Sequence, residues 1–136
     1  MAARILICED SDVMRTLIRD TLAVGVYEIV EAPDGDESLE VARSARPDLI
    51  ILDLMMPGQS GLDVLAAIRG DPQLATIPVI MLTAVERAFT IVPPEAFGAQ
   101  RYLRKPFSPA ELRSVVGELL LAPVDGSAPP SGDLSA

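Results

Sequence analysis

The chain has 136 residues, enough for one domain with a real core and too few for two. With 11 basic against 20 acidic residues it carries a net charge of −9, which argues against direct binding to nucleic acid. It contains no histidine, so histidine acid–base chemistry, a phosphohistidine carrier and histidine metal ligands are excluded.

Ile5-Leu6-Ile7-Cys8 reads as the first strand, and it runs into an acidic cluster, Glu9, Asp10 and Asp12. The single cysteine, Cys8, fits a small buried core residue and allows no internal disulfide, in keeping with a reducing, cytoplasmic setting. From Asp12 onward Val13, Met14, Leu17, Ile18, Thr21 and Leu22 lie on one face at helical spacing, and Gly25 marks the stop. Tyr27 to Val30 reads as the second strand and Ala32-Pro33-Asp34-Gly35 as the turn after it. Leu39, Val41 and Ala42 belong to a second, more polar helix ending before Pro47. The run Leu49-Ile50-Ile51-Leu52 is apolar on both faces, as in a strand buried within a parallel sheet, and it ends at the carboxylate of Asp53. Pro57 and Gly58 then turn the chain away. A third helix starts near Gly61, with Leu62, Leu65 and Ile68 inward.

Gly70 to Thr76 is predicted as a loop, Pro78 to Leu82 as a fourth strand reaching Thr83, and Tyr102-Leu103 as a fifth ending at Lys105-Pro106. The last helix opens at Ser108-Pro109-Ala110-Glu111, an N-cap, a proline suited to the first helical position and the glutamate of a capping box. Leu112, Val115, Val116, Leu119 and Leu120 supply its buried face. Between Thr83 and Gly98 the alternation demands another helix, yet Pro93 and Pro94 remove donors and clash with the preceding turn. That fourth helix is therefore expected to be irregular over Val85 to Val92, with a short helical piece over Pro94 to Phe97. Residues 1–121 form the domain, and the Ala-, Pro-, Ser- and Gly-rich residues 122–136 a disordered tail. No apolar run approaches the length of a membrane span, and Met-Ala-Ala-Arg does not begin a signal peptide, so no membrane insertion is expected.

Five alternations of strand and helix imply an α/β fold, a parallel sheet with helices on both faces. Ligands of such sheets bind outside the carboxyl ends of the strands. Glu9 and Asp10, Asp53, Thr83 and Lys105, the sole lysine, stand at four of those ends and should meet in one shallow cleft. Three carboxylates so close would repel one another and raise their pKa values. A Mg²⁺ ion, which takes oxygen ligands and keeps several waters, would relieve this, with the Lys105 ammonium offsetting the remaining charge. Flanked in this way, Asp53 can attack a phosphorus atom in line, with the Thr83 hydroxyl and Lys105 holding the phosphoryl oxygens. The product is an aspartyl phosphate. Taken singly, Asp53 fits a turn cap, Glu9-Asp10 a solvated helix start, Thr83 a strand residue and Tyr102 half-buried packing. Their coincidence at the right strand ends weighs against those readings. Arg87, Arg101 and Arg104 read as solvated surface charge.

In Glu9-Asp10, Leu52-Asp-Leu-Met-Met-Pro-Gly58 with Gly61 downstream, Thr83-Ala84, Gly98-Ala99 and Tyr102-Leu-Arg-Lys-Pro-Phe107, the sequence closely resembles the receiver (response regulator) domain of two-component signalling. The match covers about residues 4 to 121. The resemblance implies a flavodoxin-like doubly wound five-stranded sheet of order 2-1-3-4-5, like that of stand-alone chemotaxis receivers. It implies that Asp53 is the phosphoacceptor, served by a histidine kinase or phosphotransfer protein. Glu9, Asp10, Asp53 and the Met55 carbonyl would be ligands of Mg²⁺ (or Mn²⁺), and Lys105 would contact the phosphoryl group. Thr83 and Tyr102 would be the switch pair, and the bond before Pro106 would be cis. A phosphorylation-controlled surface would bind an effector protein, as a monomer or a phosphorylation-dependent dimer.

Two departures from the family pattern carry expectations. The positions that tune acyl-phosphate hydrolysis hold Met55 and Val85, both apolar and unable to orient water, so a long-lived phosphoryl state is expected. Pro93-Pro94, and Gln100-Arg101 in place of an acidic pair, imply an atypical output surface. Competing readings are weaker. An aspartate-nucleophile phosphatase would carry a second Asp where Met55 stands, and a flavin binder would need a hydroxyl-rich phosphate loop in place of Glu9-Asp10. A receiver that is never phosphorylated would not need the full set of site residues.

Overall fold

The computed structural model describes residues 2–56, 60–83 and 99–121. Within them the chain alternates as β1 (Ala3–Cys8), α1 (Asp12–Leu22), β2 (Tyr27–Ala32), α2 (Gly35–Ala45), β3 (Leu49–Asp53), α3 (Gly61–Gly70), β4 (Val79–Thr83), β5 (Arg101–Arg104) and α4 (Pro109–Leu121). The turn expected at Pro57-Gly58, the irregular helix over 85–97 with Val85, Arg87 and the two prolines, and the tail 122–136 lie outside the described residues, as do Ala84 and Gly98.

The five strands form one sheet in the order β2-β1-β3-β4-β5, and every neighbouring pair is parallel. Parallel neighbours need crossovers, and the helices that make them bury apolar stripes on the sheet. Period-2 alternation divides the strand residues between two cores. Leu6, Cys8, Ile50, Leu52, Val79 and Met81 face α2 and α3, where Leu39, Ala42, Val64, Leu65 and Ile68 meet them. Ile5, Ile7, Leu49, Ile51, Ile80 and Leu82 face α1 and α4, meeting Ile18, Leu22, Leu112, Val115 and Val116. All five residues of β3 are buried. Each large aliphatic side chain taken out of water there contributes about 1.5–3 kcal/mol.

Several expectations need correcting. Ala32 is the last residue of β2, and Asp34 is not a turn residue but the N-cap of α2, its side chain accepting from the Glu37 N–H at 2.8 Å. The dipeptide Asp34-Gly35 carries both signals, and β1 decides between them by pairing with β2 as far as Cys8–Ala32. In α1 only Ile18, Thr21 and Leu22 are buried. Val13 is 80% exposed and Leu17 44% exposed, so the apolar face of this helix is wider than the core it covers. In α3 Val64 is buried, whereas Leu62 only packs against the edge of the core. In α4 Leu112, Val115 and Val116 are buried, and Leu119 and Leu120 lie half-buried against them. At the amino edge of the sheet Arg69 ties the segment after α3 down, donating to the carbonyls of Ala75 (3.0 Å) and Ile77 (2.9 Å) and to Gln100 (2.8 Å). Among the described residues no helix is long and apolar enough to cross a membrane.

Candidate functional site

Because the strands are parallel, their carboxyl ends share one edge. Cys8 pairs with Leu52 and Asp53 with Leu82, while Thr83 pairs with Arg104, so Glu9, Asp53, Thr83 and Lys105 emerge side by side. Hydrogen bonds from Leu54 N to Leu82 O and from Lys105 N to Thr83 O, both 2.8 Å, hold these ends together just beyond the ladders.

Glu9 is 1% exposed and Asp53 4% exposed; Asp10 is exposed. One carboxylate oxygen from each of the three lies within 4.8 Å of the other two. The Lys105 ammonium bridges the two buried acids, 3.0 Å from Glu9 Oε1 and 3.1 Å from Asp53 Oδ1. The reading of Glu9 as a solvated helix-start acid therefore fails. The peptide bond between Lys105 and Pro106 is cis.

The electrostatics follow from burial. Desolvation pushes both Glu9 and Asp53 above their ordinary values, and Lys105 pulls each part of the way back. The Met55 N–H also donates to the Asp53 carboxylate, and the charge of Asp10 raises it further. For Lys105 burial works downward, but its bonds to Glu9 and Asp53 and their charges outweigh it and hold the ammonium above its usual value. A rim with this much unneutralised carboxylate suits a hard divalent cation, which takes oxygen ligands and reverses the cost of crowding them. The acidic cluster can hold a metal.

Thr83 is fully buried at the end of β4. Tyr102 of β5 stands beside Met81 of β4 and packs, half-buried, against the core shared with α2 and α3. Side-chain alternation puts Met81 and Thr83 on one face of the sheet, so Tyr102 lies diagonally behind Thr83. Met55 projects into solvent, 63% exposed.

Three contacts at this edge escaped sequence reasoning. The Ser11 N–H donates to Glu9 Oε2 at 3.1 Å, and Arg15 reaches the Glu9 carbonyl at 2.7 Å. Gly61 backs the end of β3 so closely that a Cβ would lie 2.3 Å from the Asp53 carbonyl oxygen and 2.7 Å from Leu54 Cα. The spacing of Ser11 before α1 hints at the first. Nothing in the sequence reports the second, because Arg15 is held by Glu31 of β2.

The family described as response regulator receiver domain matches residues 5–117. The chain belongs to that family. It is a receiver domain of phosphorelay signalling, and receiver domains accept phosphoryl groups from histidine kinases. It is 42% identical over 125 residues to the sensor histidine kinase TmoS of Ectopseudomonas mendocina, an alignment covering 92% of this chain and 13% of that protein. It is 37% identical over 120 residues to the alkaline phosphatase synthesis transcriptional regulatory protein PhoP of Bacillus subtilis, covering 88% of this chain and 49% of the regulator. The receiver thus spans half or less of the length of these two relatives. Among solved structures, the receiver domain of sensor histidine kinase PA1611 from Pseudomonas aeruginosa superposes with a TM-score of 0.80 at 29% identity, covering 88% of this chain and 98% of that one.

Proposed function

We propose that Asp53 is the phosphoacceptor of this receiver, and that Glu9, Asp10, Asp53 and the Met55 carbonyl hold a Mg²⁺ or Mn²⁺ ion beside it. The observation that carries this reading is the Lys105 ammonium within 3.1 Å of Asp53 at the rim where three carboxylates meet. The solved PA1611 receiver, described as having a magnesium ion in its active-site cleft, supports the choice of metal. When bound, the ion neutralises charge on the incoming phosphoryl oxygens.

The residues of the chain do the rest. The second Asp53 oxygen attacks phosphorus as the bond to the donor's imidazole nitrogen breaks, and no base is required because the nucleophile is a carboxylate. Lys105 leaves its place between Glu9 and Asp53 to pair with the phosphoryl group while keeping its charge. The Thr83 hydroxyl turns toward the new oxygens, and Tyr102 follows inward behind it. That movement re-forms the surface read by an effector protein. The domain acts on itself alone, without turning over a separate substrate, and works in the cytoplasm as residues 1–121. The apolar Met55 side chain offers no atom that could orient an attacking water, so the phosphoryl state is long-lived.

Incubation with acetyl phosphate and Mg²⁺ should add the mass of one phosphoryl group, lost slowly after removal of the donor. Asp53→Asn should gain none, and chelation of the metal should abolish the gain. Equal modification of Asp53→Asn would defeat the proposal.

A further inference from the structure

We propose that Arg15 is a positioning residue for the metal-holding acids, acting through the peptide that joins Glu9 to Asp10. The inference rests on the site reading given above. Glu9 is gripped at every polar atom: its N–H donates to the Ala32 carbonyl at 3.1 Å, Oε2 accepts from the Ser11 N–H, and Oε1 accepts from Lys105. Its carbonyl oxygen accepts from Arg15 Nη1 at 2.7 Å. Asp10 has no such enclosure, being exposed at the rim. Where its carboxylate stands depends on the orientation of the Glu9–Asp10 peptide plane, and Arg15 fixes that plane by holding its oxygen.

Arg15 is itself held. Its side chain is 16% exposed, its Nε donates to Glu31 at 3.0 Å, and Nη2 pairs with Asp12. Glu31 is braced in turn by Arg19. The planar guanidinium fork spans a carboxylate on β2, a carboxylate on α1 and the carbonyl beyond β1 at once. A lysine ammonium carries the same charge but cannot reach all three in that geometry. A chain of contacts therefore runs from β2 through Glu31 and Arg15 to the acidic pair, and preorganises it before any ion arrives.

Charge and geometry predict opposite signs, which makes the idea testable. A cation near the cluster repels Mg²⁺, so removing it tightens binding if charge is all that matters. If positioning is the role, losing the fork weakens binding. We expect Arg15→Lys, which keeps the charge, and Arg15→Gln, which removes it, both to raise the Mg²⁺ Kd measured calorimetrically by roughly 10-fold, the usual scale for outer partners of a metal site. In the metal-free variants the Asp10 amide should exchange faster than in wild type. Phosphorylation by acetyl phosphate should need more Mg²⁺ for half-maximal rate yet reach the wild-type rate at saturation. Should both variants fail to fold by circular dichroism, Glu31→Ala, which removes the brace and leaves Arg15 in place, should still raise the Kd. A wild-type Kd in Arg15→Lys, or tighter binding in Arg15→Gln, overturns the inference while leaving the site intact. Absence of Mg²⁺ binding by wild type overturns the site reading and this inference with it.

Discussion

Gly61 shows how the absence of one methyl group sets where the carboxylate of Asp53 stands. Its N–H donates to the Leu54 carbonyl at 2.8 Å, and the start of α3 rests on the backbone of Asp53 and Leu54 with no room for a methyl group. The obstructing atoms are backbone, so they cannot swing aside. Gly61→Ala should push the end of β3 out of line, costing about 1–3 kcal/mol by overpacking and slowing phosphorylation by acetyl phosphate more than the loss of folded protein explains. Urea denaturation paired with phosphorylation rates, corrected for folded fraction, is the check.

At the scale of elements, α1, α3 and α4 are each started by a side chain that accepts from the first turn. Ser11 Oγ accepts from the Met14 N–H at 3.1 Å to start α1. Ser60 and Asp63 exchange bonds to start α3, and Ser108 accepts from Glu111 at 3.0 Å to start α4. Ser11 has a second task, since its N–H serves Glu9, but that task belongs to the backbone. The two are separable. Ser11→Ala should cost about 1 kcal/mol of stability as a lost N-cap while leaving the Mg²⁺ Kd unchanged. Thermal denaturation beside calorimetric titration would read both.

At the scale of the whole molecule, two cores close over the sheet and bury Cys8 completely. Burial pushes its thiol up to about 12, with a Ser38 hydrogen bond working weakly the other way. The folded state therefore holds this proton more tightly than the unfolded chain. The sign follows: between the ordinary value of 9.0 and about 12, rising pH favours the unfolded state, and stability is lost across that window. Cys8→Ala should flatten the alkaline limb of the stability curve. A disulfide reagent at neutral pH should leave native Cys8 untouched and react only as fast as the sheet opens, because the thiolate is the nucleophile.

The sequence by itself determined the strand and helix alternation of the described residues, the two-sided burial of Leu49 to Leu52, and the placement of Glu9, Asp53, Thr83 and Lys105 at strand ends. All of these are local: periodicity and turn residues act over a few positions, and a parallel sheet then forces the ends to one edge. It could not separate the turn at Asp34-Gly35 from a helix start, nor tell that Val13 and Leu17 stay outside, since both depend on how far a neighbouring element extends. Tertiary structure alone decided that Lys105 bridges Glu9 and Asp53 and that both acids are buried hard enough to be raised. It also decided that Arg15 anchored on Glu31 reaches the carbonyl between the two paired acids. Such contacts join residues far apart in the chain, and their geometry is fixed only once the strands lie at 4.8 Å or so from one another and the helices have closed over them.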